Sequence, residues 1–220
     1  MLALAGTLAA LAGPFPIREV SIAGASRVDS ARVREAAGLA GANVFLASAR
    51  VAESRVAAIP AVRRSRVTIQ LPDRAIVEVE ERAPAIVLTS SGGSVFADDE
   101  GVLFAAGADA PGLAVLEDQM ARRAAGDRVD PALVAATRAI AAREPAYFGR
   151  AIAHIRLTPA LGLVAVLEGG TEIRLGASAT AQQIELKLEA ARQIVLARVG
   201  KRLDYVDVRN RDNPVFFPRD

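Results

Sequence analysis

Between Ile59 and Pro84 apolar and polar positions alternate cleanly. Val67, Ile69 and Leu71 interleave with Arg66, Thr68 and Gln70, the period of a half-buried strand. Pro72-Asp73 suits a tight turn, because proline presets φ and aspartate bonds back to the backbone. Beyond it Val77 and Val79 oppose Ile76, Glu78 and Glu80, predicting a second strand. Upstream, Val20 and Ile22 share a parity in a short strand over 17–23 that Gly24 closes. Asp29 or Ser30 is placed to cap a helix whose apolar face is Val33, Ala36 and Ala37, with Gly38 and Gly41 where it stops. A second helix restarts after Ser48, its Val51, Ala52, Arg55, Val56 and Ile59 spaced at three and four, and Pro60 ends it. The order strand, helix, helix, strand, strand predicts a three-stranded sheet with two helices on one face.

The remainder has a different texture. "APAIVLTS" and "SVFADDEGVLFA" read as strands, the second a hairpin turning at Asp99-Glu100-Gly101. A helix follows Asp130 as cap and Pro131 as first residue, limited by Pro145. "AIAHIRL" and "LGLVAVLEGGTEIRLG" predict strands, with Gly169-Gly170 as a two-residue hairpin turn. Ile184, Leu188, Ala191, Val195 and Val199 line one face of the clearest helix, with Gly200 as its stop. "LDYVDVR" and "NPVFFPRD" are the closing strands. The seam falls at Glu81–Pro84, giving units 15–82 and 83–220. The class expected is α+β, the second unit a mostly antiparallel sheet with an open C-terminal edge strand.

Composition narrows the chemistry. Half the residues are apolar (52%), enough for a real core, but aromatics are 4% and Trp is absent, which disfavours base-stacking surfaces. Twenty-seven basic residues against twenty-five acidic ones leave +2, no nucleic-acid footprint. With no Cys and one His, His154, there is little for a thiolate nucleophile, a multi-histidine zinc site or a histidine-paired acid/base mechanism. Asp98, Asp99 and Glu100 before a glycine read as turn chemistry. No nucleophile-elbow, P-loop or dinucleotide motif occurs, so the expectation is a non-enzyme without cofactor or metal. Residues 1–17 carry no charged side chain. As a helix they would extend roughly 26 Å, short of an approximately 30 Å hydrocarbon core, and Pro14 and Pro16 break its end. The stretch reads as the outer half of a membrane anchor, 1–14, with a short secretory signal or a buried helix as alternatives.

Several passages, in this order, resemble the bacterial cell-division family FtsQ/DivIB. "IREVSIAGASRV" is similar to the first strand and glycine turn of its POTRA domain, and "GANVF" to the loop between the helices. "IPAVRRSRVTIQLPDRAIVEVEERAPA" is similar to its Pro-Xaa-Val entry, Leu-Pro-Asp turn and Glu-Arg-Xaa-Pro exit. "FADDEGVLF", "GTEIRLG", the helix around Lys187-Leu188 and "YVDVR" resemble the following β domain. One departure lies in "DVRNRDNPVFFP": Asn210 and Asn213 stand where relatives carry an aromatic and a glycine.

The resemblance implies a single-pass protein of the cytoplasmic membrane, its bulk extracytoplasmic at the septum. It would be a non-enzymatic divisome scaffold that binds FtsB/DivIC-like and FtsL-like partners. The alternative is a POTRA protein of an outer-membrane secretion or assembly system. The expected partner site is the C-terminal strand with its approach: Arg209, Asn210, Asp212, Asn213, Pro214, Val215, Phe216 and Phe217. Arg209 would be the fork for a partner carboxylate, and strand addition at an unpaired edge the mode. Arg63, Arg64 and Arg66 mark a second candidate docking edge, or simply a solvated strand face.

Overall fold

The computed structural model describes residues 15–105, 111–177, 180–198 and 202–219. The chain divides into two compact units, residues 1–83 and 84–220. The expected membrane anchor, Val199 and Gly200 lie outside the described residues.

The smaller unit runs β1 (Glu19–Ala23), α1 (Ser30–Ala37), α2 (Ala49–Ala57), β2 (Val62–Gln70) and β3 (Arg74–Glu81). Asp29 caps α1 by accepting the Ala31 N–H, Gly38 ends it at φ 62°, and Ser48 caps α2 through Val51. β3 is central, parallel to β1 and antiparallel to β2. Val33, Ala37, Ala52 and Val56 from the helices close over Val20, Val67, Ala75, Val77 and Val79. Burying each valine contributes about 1.5–3 kcal/mol. Leu71 departs from the alternation: at the tip of the β2–β3 hairpin it is 67% exposed.

The exit motif has a mechanical reason. Glu81, its side chain 6% exposed, accepts the N–H groups of Ser26, Arg27 and Val28 at 2.7–2.8 Å, with the Ser26 hydroxyl and Arg27 Nε on its other oxygen. Burial alone would raise its pKa; the three N–H bonds and Arg27 reverse that and lower it from 4.5 to about 2. Gly24 (φ 81°) opens this loop where a Cβ would meet the Val79 carbonyl oxygen at 2.1 Å, so no other residue fits.

The larger unit comprises β4 (Ile86–Ser90), β5 (Gly93–Ala97), β6 (Leu103–Ala105), β7 (Ala114–Asp118), α3 (Pro131–Ala141), β8 (Ile152–Thr158), β9 (Gly162–Leu167), β10 (Glu172–Gly176), α4 (Ala181–Leu196), β11 (Leu203–Asp207) and β12 (Val215–Pro218). They form one nine-stranded sheet, β12-β11-β10-β9-β8-β7-β4-β5-β6. Five neighbouring pairs are antiparallel; β4–β7, β7–β8 and β10–β11 are parallel. The α+β class and mostly antiparallel sheet are therefore as expected. α3 makes the crossover from β7 to β8 and α4 that from β10 to β11, as parallel neighbours require. Ile140, Ile184, Leu188 and Ala191 on these helices share one core with Ile155, Leu157, Ile173, Leu175 and Val206 of the sheet.

Two details differ from the sequence expectation. β7 has no counterpart among the strands that the sequence predicts. The turn from β9 to β10 is one residue longer than a two-residue hairpin, Glu168 to Gly170 lying between Leu167 and Thr171, whose main chains bond. Both glycines take positive φ, so the pair still makes the turn.

Candidate interaction edge

The two ends of the larger sheet are finished differently. At the β6 end the segment 126–129 lies along the border: Leu103 N–H donates to Asp127, Gly126 N–H to Leu103 and Val129 N–H to Gly101, with a bridge between Val102 and Arg128. At the other end, among the described residues, β12 is hydrogen-bonded only to β11, with Tyr205 opposite Phe217, Val206 opposite Phe216 and Asp207 opposite Val215.

Strand alternation then assigns the main-chain groups. Val208 N–H donates to Arg174 of β10, so residues 206 and 208 face β10 while 205 and 207 face β12. Val215 and Phe217 consequently turn inward, as Arg219 does in donating to Arg202. Phe216 and Pro218 turn outward, and by the same alternation so does Pro214. The prolines have no N–H. The outer border of residues 214–218 thus offers carbonyls along its length and one donor, the Phe216 N–H.

The side chains leave this border accessible. Val215 is 51%, Phe216 37% and Phe217 56% exposed, so Phe216 and Phe217 are not core residues under α4. Phe216 lies on the helix side, with the Arg198 guanidinium 3.6 Å from its ring centroid. Phe217 lies on the other face, stacked on Tyr205 at 5.9 Å and 9°. Arg174 sits 3.7 Å from the Tyr205 ring centroid and pairs with Glu172, which also accepts from Arg156. Five side chains from β8 to β12 thus form one rail that braces the edge residue.

The approach to β12 is held by a second arrangement. Arg209 closes on Asp207, with Nε 3.1 and 3.0 Å from the two carboxylate oxygens, Nη2 2.7 Å from one, and its own N–H bonded there too. Burial pushes the Asp207 carboxyl up, but the hydrogen bonds and charge of Arg209, with Arg174 beyond, outweigh it and hold the group below the usual range. The guanidinium fork expected to face a partner is therefore engaged within the chain. Asn210 Oδ1 accepts the Asp212 N–H and its carbonyl accepts that of Asn213, a tight turn that carries the exposed Asp212, Asn213 and Pro214 into β12. Lys187 of α4 donates to the Leu175 carbonyl at 2.6 Å and pins the helix to β10; burial lowers its pKa while Asp207 pulls the other way.

On the second candidate edge, Arg64 lies opposite Glu80 and Arg66 opposite Glu78 across the strands, and Arg63 is 3.8 Å from Glu80. Glu53 of α2 caps the outward N–H of Val67 at 2.8 Å, and Ser65 bonds the Glu53 carbonyl. Part of that border is already used by the chain itself.

The other candidates belong to the larger unit, on elements other than β12. Asp98 is buried and accepts the N–H groups of Glu100 and Val102, while Asp99 pairs with Arg138. His154 is exposed on β8, 3.4 Å from Glu117. A cleft of about 480 Å³ is lined by Thr89, Ser90, Glu117, Asp118 and Arg122, and its buried Asp118 is tied to Arg123 at 2.8 Å. Among the described residues no group of three or more His, Cys, Asp or Glu is placed to hold a metal, and no helix is long and apolar enough to cross a membrane.

Comparison with known proteins gives two family matches. Residues 15–82 match the POTRA domain of FtsQ type, and residues 85–209 match the C-terminal domain of cell division protein FtsQ/DivIB. The cell division protein FtsQ of Corynebacterium glutamicum is 27% identical over 203 residues, 92% of this chain and 88% of that protein. FtsQ of Chloroflexus aurantiacus is 31% identical over 97 residues, 44% of this chain and 36% of the relative.

Proposed function

The chain belongs to the FtsQ/DivIB family of bacterial cell-division proteins, and from that premise we propose that it is a non-enzymatic scaffold of the division machinery, capturing an FtsB/DivIC-like partner by strand addition along β12. The observation that carries this reading is the outer border of β12, which no described strand covers while the segment 126–129 lies along the opposite end. A partner strand centred on Phe216 exchanges both main-chain bonds with it and donates further N–H groups to the carbonyls of Pro214 and Pro218. Val215 and Phe217 on one face and Phe216 on the other supply the apolar grip. Arg209 contributes by fixing the turn through Asp207; the fork itself is not the partner's first contact. FtsL-like proteins join through the same assembly. Residues 1–14 serve as part of a membrane anchor that keeps both units on the outer side of the cytoplasmic membrane. The β2 border with Arg63, Arg64 and Arg66 offers a partner charge more than free main chain, and is a secondary docking surface at most. The secretion-system alternative receives no support from the second match, which is to a cell-division domain.

Deleting Asn213–Asp220 tests the reading. Capture of the FtsB-like partner in a pull-down should be lost while the smaller unit keeps its cooperative unfolding. Undiminished capture by that truncation would sink the site.

A further inference from the structure

The smaller unit keeps its exposed large apolar side chains at one end. Among its described residues these are Phe15 (43% exposed), Phe45 (53%), Leu46 (69%), Val51 (42%) and Leu71 (67%). The backbone explains their convergence. Residues 15–17 zip against 41–44: Val44 N–H donates to Phe15, Ile17 N–H to Ala42 and Gly41 N–H to Ile17, with a bridge between Pro16 and Asn43. This pairing sets the Phe15 and Phe45 rings edge to face at 5.2 Å. Asn43 shapes the following turn, its side chain accepting the Phe45 N–H and its carbonyl the N–H groups of Leu46 and Ala47. On the other side Arg18 and Glu19 donate to the Asp73 carbonyl, which brings the Leu71 hairpin tip to the same end. Val51 follows in the first turn of α2.

Each of these exposures is costly in water, and together they form a rim around the point where the chain arrives from residues 1–14. Those fourteen residues contain no charged side chain. No acid occurs between Glu35 and Glu53, and Arg50 is exposed beside the rim; Arg18, also exposed, lies 3.8 Å from the Asp73 carboxylate next to the hairpin tip. Aromatic and leucine side chains flanked by arginine suit the interface of a bilayer that carries anionic headgroups.

We propose that this rim, Phe15, Phe45, Leu46 and Leu71, rests in the interfacial layer of the membrane with Arg50 on anionic lipid phosphates. The smaller unit is thereby held upright on the bilayer and does not swing freely on its anchor. The proposal rests on the membrane placement of residues 1–14 put forward above.

The absence of cysteine allows a clean test in the full chain. Single variants L46C, L71C and R64C carry an NBD fluorophore in vesicles of phosphatidylcholine and phosphatidylglycerol, with and without doxyl-labelled lipid. Arg64 pairs near the far end of the hairpin, six residues from Gln70, or about 20 Å along the strand. Flotation with the vesicles reports the anchor; quenching reports the rim. Melting curves like the parent's verify that the labelled variants are folded. The expected result is flotation, with quenching at 46 and 71 about five-fold or more above that at 64. Flotation with equal quenching at all three positions overturns the rim while the anchor stands. Shielding at 46 or 71 that requires an added protein overturns it in favour of a protein contact. Failure to float overturns both.

Discussion

Glu81 shows how much one carboxylate can organise. It gathers three consecutive N–H groups, a hydroxyl and a guanidinium, which ties the loop after β1 to the last residue of β3. Replacing it by Gln should lower stability of the smaller unit by about 2–3 kcal/mol at pH 7, since charged acceptors contribute most and the donors would lose partners in a closed site. The pH dependence follows from the depressed pKa. A carboxylate lowered in the folded state stabilises above its unfolded value and loses that contribution as pH falls. The gap between parent and E81Q in urea denaturation should be full above about pH 5 and close between 4.5 and about 2. A gap that is constant with pH would contradict this account. Asp207 obeys the same sign, its contribution lost below the usual carboxylate range. Arg209→Ala should therefore speed amide exchange across 208–214 and weaken partner capture, leaving β10 and α4 protected.

At the level of elements, β12 permits separation of main chain from side chain. Phe216→Ala removes the ring and keeps the outward N–H. Phe216→Pro removes both, and is tolerated because that N–H faces away from β11. Partner capture should fall in both and be lost in F216P, with the two variants melting alike; equal residual binding would argue for side-chain recognition alone. Most elements were legible because caps and breakers carry local signals: Asp29, Ser48, Asp130 and Gly38 act where their chemistry places them. β7 was not legible. Its inward residues are Leu116 and Asp118, and a buried acid breaks the hydropathy pattern. The turn that follows brings the Met120 N–H and Arg123 to that carboxylate, and hydropathy does not register such pairing. The C-terminal strand could be read as an edge from its position. That Arg209 turns back on Asp207 could not, because a two-residue separation does not fix a rotamer.

For the whole molecule, two cores without shared members, one from Ile17 to Val79 and the other from Ile86 to Val208, imply two folding units. Residues 15–83 and 84–219 expressed separately should each unfold cooperatively, and proteolysis of the full chain should cut first near Ala83–Pro84. Dispersed cleavage, or a second unit that is molten alone, would count against independent folding.

The unequal ends of the nine-stranded sheet limit what the protein can build. Head-to-tail stacking, the geometry that grows fibrils, needs two receptive margins per molecule, and the 126–129 segment has removed one of them. Two copies meeting β12 to β12 would form a closed twofold pair and stop. Such a pair would hide the same donor that a division partner needs, so crowding at high concentration would compete with recruitment and could never turn into polymer through this sheet.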